Sequence, residues 1–192
     1  MGPGLSAEQF AQLARARQAS AKVRRAVAVA TFDAWATAVF AGLTLLAAPF
    51  GGAAALAVGL ALAVVAYVSF MGVAGLRQLD PLAARSLAFN QIFLAGVLLA
   101  YAGYSLGRLH RDPGLLVSAL VSSPEVAQQL GIDVAKLVRL VGWAVYGTVA
   151  AVAVSVQGGA AVYYFTRRKH VDRYVRQTPK WILDAQRAGL PM

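Results

Sequence analysis

Four stretches of this chain are apolar, nearly uncharged and longer than a hydrocarbon layer is thick, and this pattern restricts the fold more than any other feature. Residues 26–48 carry one charge, Asp33, while residues 52–76, 87–107 and 140–165 carry none. Each run exceeds the roughly 18 residues that mark a membrane-crossing helix. Backbone groups inside lipid find no water, so a crossing segment must be a helix or belong to a closed barrel. Barrel strands run for about ten residues and alternate in polarity, and these runs do neither. The expected fold is all-α, a polytopic membrane protein with four transmembrane helices. Composition agrees, since 192 residues that are 59% hydrophobic and 14% charged, with mean hydropathy +0.61, carry more apolar surface than a soluble domain of this length buries.

Charge sets the orientation. Residues 1–25 contain five Lys and Arg, 77–85 two and 166–192 seven, all on one side of a four-span topology. The turn at 49–52 contains none, and 108–139 contains four, offset by Asp112, Glu125 and Asp133. Excess Lys and Arg mark the cytoplasmic side, so both termini are expected there, with a bacterial cytoplasmic (inner) membrane as the location. Residues 1–25 then form a basic amphipathic or lead-in helix, 26–165 the transmembrane domain with an external loop at 108–139, and 166–192 a basic cytoplasmic tail. A charged stretch this long before so long an apolar run does not fit a cleavable signal peptide. The formal charge of +10 flanks hydrophobic runs, which points to anionic lipid headgroups as the partner and away from nucleic acid. Arg24, Arg25, Arg167, Arg168 and Lys169 are the expected headgroup contacts.

Local signals refine the polar segments. Ser6 and Gln9 have capping-box spacing, so a helix should begin near Ala7, lying on the membrane or leading straight into the first span. Pro49-Phe50-Gly51-Gly52 should reverse the chain, and Asp80-Pro81 should restart it. Further starts are expected at Asp112-Pro113, Ser123-Pro124-Glu125 and Asp133, with a stop at Gly131. Tyr163, Tyr164 and Phe165 read as an aromatic belt at the inner boundary. Past Thr178-Pro179, a short helix should turn Trp181, Ile182 and Ala185 to lipid and Lys180, Asp184 and Arg187 to water, ending at Gly189 and Pro191.

Polar residues inside the spans are the most informative. Asp33 lies about seven residues into the first run, roughly 10 Å at helical rise, where a carboxylate is costly unless paired, protonated or hydrated. Thr37 and Thr44 share its face. Ser69, Asn90, Gln91 and Gln157 enter their spans from the same side, so Asp33, Thr37, Ser69, Asn90, Gln91 and Gln157 are expected to gather as a polar cluster, acting as glue between helices or as an ion path. Small residues recur every four positions at Ala34, Ala38 and Gly42, at Ala55, Gly59 and Ala63, and at Gly147, Ala151, Ser155 and Gly159. The last stripe is expected to make a tight helix contact.

Other motifs weigh little. Gly103-Tyr104-Ser105-Leu106-Gly107 matches a hydrolase pattern that needs a strand-to-helix elbow, yet it lies in an apolar helical run. His110-Arg111-Asp112 and His170-Val171-Asp172 fall on opposite sides of the membrane, and each offers too few ligands for a metal. The chain has no cysteine, and no nucleotide loop or cofactor motif occurs. Neither a cofactor nor a metal is expected. The expected role is a non-enzymatic accessory or scaffold subunit of a membrane assembly, able to self-associate into a homo-oligomer or join other membrane subunits. The alternative is an oligomeric ion channel or small transporter built around Asp33.

Overall fold

The computed structural model describes residues 6–111 and 133–188, and these are helical apart from short turns and caps, with no strand among them. The helices are α1 (Ala7–Ala19), α2 (Ala21–Arg77), α3 (Pro81–Arg111), α4 (Val134–Val152), a π-helical turn (Ala153–Gln157), α5 (Gly158–Gln177) and α6 (Lys180–Arg187). Three helices are long and apolar enough to cross a membrane: Ala21–Arg77, Pro81–Arg111 and Lys136–Gln177. The helix signals expected at Asp112-Pro113, Ser123-Pro124-Glu125, Gly131, Gly189 and Pro191 lie outside the described residues.

Capping chemistry explains where the helices begin. Ser6 accepts from Gln9 N at 3.3 Å while the Gln9 side chain accepts from Ser6 N at 2.8 Å, so the two satisfy each other's free donors. The helix pattern runs on through Ser20, whose own N–H reaches Ala16 O and whose carbonyl accepts from Arg24 N. Asp80 caps α3 by accepting from Leu82 N at 2.8 Å, and Asp133 caps α4 by accepting from Lys136 N at 2.9 Å.

The reversal expected after the first apolar run is sharper than its sequence suggests. Helix continues through Pro49 to Gly51, and only Gly52 leaves it, at φ 68° and ψ −163°. That region is open essentially to glycine alone. The chain doubles back there: the Trp35 and Phe70 rings meet edge to face at 5.3 Å, although 35 residues of straight helix would span roughly 50 Å.

The second arm ends in a Schellman turn. Asp80 N bonds Gly75 O and Leu79 N bonds Leu76 O, with Leu79 at φ 62° in the position where glycine is usual. Leucine holds that position although the backbone there costs about 1–2 kcal/mol. Its side chain is buried in the main apolar cluster, which is worth more than the strain, roughly 2 kcal/mol or above.

Contacts divide the chain into two compact units, Met1–Ile92 with Ala160–Met192, and Phe93–Gly159. In the first, Ala26, Ala30 and Ala34 of α2 are completely buried, and Leu76, Leu87, Tyr164, Val171 and Leu183 join that cluster or pack into the same interior. Leu183 and Ile182 turn α6 inward. This corrects the expectation that Ile182 and Ala185 face lipid: the short helix folds back on its own unit, and Trp181 donates to Gln12 Oε1 at 3.3 Å. In the second unit, Ala102, Leu109, Val138 and Ala153 are buried and the Tyr101 and Tyr146 rings meet at 6.2 Å. Large apolar side chains cover the outside, with Phe32 77% and Leu46 76% exposed. Such a surface suits lipid and would aggregate in water.

The turn at Gly52 yields a test. Gly52→Ala should lower thermal stability in mild detergent by about 1–3 kcal/mol. Gly42→Ala, at a helical position with no atom within 4 Å of the added Cβ, should be neutral or gain up to about 1 kcal/mol.

Candidate functional site

Asp33 sits on α2 one position before the fully buried Ala34, and is itself half-buried. Across from it on α3, Gln91 is completely buried, and its amide nitrogen donates to Asp33 Oδ2. That orientation leaves Gln91 Oε1 buried without a partner among the described residues, and the Tyr164 hydroxyl of α5 is in the same condition. Tyr164 is 1% exposed. All three residues belong to the first unit.

Asn90 forms a separate link. Its Nδ2 donates to the Val65 carbonyl and to Ser69 Oγ, both at 2.9 Å, joining α3 to the second arm of α2. Both Asn90 and Ser69 are buried. Adjacent positions on a helix point about 100° apart, so Asn90 and Gln91 reach opposite arms of the same hairpin. The expected single cluster is therefore two pairs, Gln91 with Asp33 and Asn90 with Ser69. Thr37 is buried on the first arm and, among the described residues, bonds to neither pair. Thr44 returns its hydroxyl to the Phe40 carbonyl at 2.7 Å. Gln157 belongs to the second unit, half-buried at the end of the π-helical turn.

The sequence reading placed Tyr164 in an interfacial belt, and the structure puts it in the core. Ala161, Tyr164, Val171 and Tyr174 are all buried, a spacing of three, seven and three that marks one helical face. That periodicity was present in the sequence but hidden by the adjacent run of three aromatics. Tyr163 stays half-buried, with the Arg167 guanidinium 4.5 Å above its ring, and Phe165 is exposed. Arg24, Arg25, Arg168 and Lys169 are exposed, while Arg167 is half-buried. Lys22 and Arg173 lie close enough to His170 for their charges to act on its imidazole.

The other motifs keep little chemistry. Residues 103–107 are uninterrupted helix within α3, with Ser105 buried and no elbow. Asp172 pairs with Arg176 at 3.1 Å rather than with His170, and Asp112 lies outside the described residues. Among the described residues, no three metal-ligating side chains come together.

Close approach between helices occurs elsewhere than at the expected stripe. A Cβ added at Gly147 or Gly159 would meet nothing within 4 Å, and Ala151 and Ser155 are exposed. The π-helical turn explains part of this: its i to i+5 bonding breaks the four-residue register between Ala151 and Gly159. Tight positions include Gly59, where a Cβ would stand 2.7 Å from Leu45 Cδ2, Gly72, where it would stand 2.6 Å from Leu87 Cγ, Gly75, where it would stand 2.7 Å from Ala83 Cβ, and, in the second unit, Gly142, where it would run into Leu109 Cδ2. Gly59 was read as part of a stripe and Gly72 was not. On the first arm the packed positions are Ala26, Ala30, Ala34, Thr37 and Ala41, so Ala34 is shared with the expected stripe and Gly42 is not.

Two outcomes follow for thermal unfolding in mild detergent. Gly72→Ala should cost about 1–3 kcal/mol by overpacking, whereas Gly147→Ala should not destabilise the chain. Asn90→Leu should cost about 1 kcal/mol, and adding Ser69→Ala to it should cost less than Ser69→Ala alone, because the pair shares one bond. Compared with known protein families, with curated proteins and with solved structures, the chain shows no significant match.

Proposed function

We propose that this chain is a non-enzymatic integral membrane protein, an accessory or scaffold subunit of a membrane assembly. In this reading it crosses the cytoplasmic membrane four times with both ends inside. The break at Gly52 supports counting α2 as two crossings, since each arm exceeds the length a bilayer requires. The excess of Lys and Arg at 1–25, 77–85 and 166–192 supports the orientation.

The observation that carries the scaffold reading is how the buried polar groups are used. Asn90 gives its amide to Val65 and Ser69, and Gln91 gives its amide to Asp33, so α3 is tied to both arms of α2. Such bonds hold helices together where the hydrophobic effect does not act.

A second reading, an oligomeric ion channel or small transporter, has one observation in its favour: among the described residues Gln91 Oε1, on the side chain that donates to Asp33, and the Tyr164 hydroxyl are buried without partners. Intramembrane ionisable residues often mark ion or proton paths. The two readings separate in proteoliposomes. A scaffold gives no cation or proton flux above empty vesicles, and Asp33→Asn lowers its thermal stability. Flux that disappears in Asp33→Asn with stability unchanged would establish transport. Particle mass in mild detergent, with co-purifying polypeptides identified, separates a mixed assembly from a homo-oligomer.

A further inference from the structure

We propose that the cavity between the start of α2, the turn that ends it and α6 binds one anionic phospholipid, its phosphate held by Arg24 and Arg77. The inference rests on the reading that this end of the chain lies at the headgroups of the cytoplasmic leaflet. The cavity holds about 240 Å³, and all of its lining residues belong to the first unit.

Its polar side consists of donors. These are Arg24, Arg77 and the Gln186 amide; Ser20 also lines it, but its hydroxyl donates to the Arg17 carbonyl at 2.9 Å, and among the described residues no carboxylate lines it. Among the described residues the ion pairs are Arg176 with Asp172 and Arg187 with Asp184, so neither cavity arginine is neutralised by a neighbour. Arg24 is already oriented: its Nη1 donates to Ser20 Oγ and, at 3.2 Å, to the Arg17 carbonyl. Its Nε and Nη2 hydrogens remain for an anion. Gln186 is oriented too, because its Oε1 accepts from the Tyr174 hydroxyl at 3.0 Å, leaving its amide nitrogen as a donor. Guanidinium groups bind phosphate through paired hydrogen bonds, which makes a phosphate ester the anion that fits.

The opposite wall identifies the source of that phosphate. Val23, Val27, Leu76 and Leu79 form it, and Leu79 reaches it from a backbone conformation that leucine rarely adopts. A soluble phosphate gains nothing from aliphatic walls. The glycerol backbone and first methylenes of a lipid gain about 0.8 kcal/mol for each CH₂ removed from water. Basic pockets between helices at the cytoplasmic face are where anionic headgroups bind specifically rather than diffusely.

The test is native mass spectrometry of the full chain, purified in mild non-ionic detergent and titrated separately with phosphatidylglycerol, phosphatidylcholine and glycerol 3-phosphate. We expect one tightly held phosphatidylglycerol per chain, phosphatidylcholine weaker by about tenfold or more, and no comparable retention of glycerol 3-phosphate. Arg24→Gln with Arg77→Gln should weaken phosphatidylglycerol by about tenfold or more, whereas Lys136→Gln with Arg139→Gln, an equal loss of charge outside the cavity, should not. Val27→Phe keeps both arginines and fills the space, so it should also lose the lipid while retaining wild-type helicity and elution volume. It carries the test if the double arginine variant does not fold. Equal losses from both charge pairs, or unaltered binding in Val27→Phe, would overturn the site. Glycerol 3-phosphate bound as tightly as the lipid would overturn the lipid assignment. Extraction from membranes is scored separately: a chain that needs detergent yet shows no selective lipid loses only this inference, and one that leaves membranes without detergent loses the membrane reading as well.

Discussion

Close approach of helices through small residues is the constraint on which the first unit depends. In lipid, apolar side chains gain nothing by leaving their solvent, so helix association rests on van der Waals contact and a few hydrogen bonds. Contact of that kind falls away steeply with distance, and it needs backbones brought near each other. Ala26, Ala30 and Ala34 at zero exposure, with Gly59 under Leu45 and Gly72 under Leu87, supply it. Large residues such as Phe32, Trp35 and Leu46 are turned outward. Bulky groups are also buried, Leu76, Leu87 and Tyr164 among them, so small residues set the spacing of the helices and do not fill the core alone.

The polar links need that close packing. Asn90 reaches Val65 and Ser69 at 2.9 Å where Gly72 lets Leu87 of α3 lie close against the second arm of α2. A short side chain with few rotamers then finds its partner without stretching. Gln91, one residue on, reaches the first arm instead. One amide pair thus ties three helical segments, and the register of α3 against the hairpin is set by hydrogen bonds whose alternative is an unpaired polar group in hydrocarbon. Among the described residues, Gln91 Oε1 and the Tyr164 hydroxyl are buried outside these links.

Much of the fold was legible because its signals are local. Apolar run length marked the crossing helices, Ser6 with Gln9 and Asp80 with Pro81 marked helix starts, and Gly52 marked the reversal. The candidate site was legible only in its membership. Asp33, Ser69, Asn90 and Gln91 stood out because polar groups in lipid are costly, but which of them would pair depends on the rotation of α3 about its axis. The stripe from Gly147 to Gly159 presumed an unbroken α register, and a π-helical turn in the middle of it removed that premise. Short helices were the least legible: the amphipathic pattern of α6 fits a lipid surface and a protein surface equally well.

By itself the sequence determined the solvent and the helices, since lipid accepts only long uncharged runs that satisfy their own backbone, and both properties are counted along the chain. Tertiary structure alone decided that Tyr164, Ile182 and Leu183 turn inward, that two polar pairs form in place of one cluster, and that Arg24 and Arg77 line a cavity with Leu79. Each of these depends on the rotation and distance between segments far apart in the chain, quantities that residue order constrains only through packing.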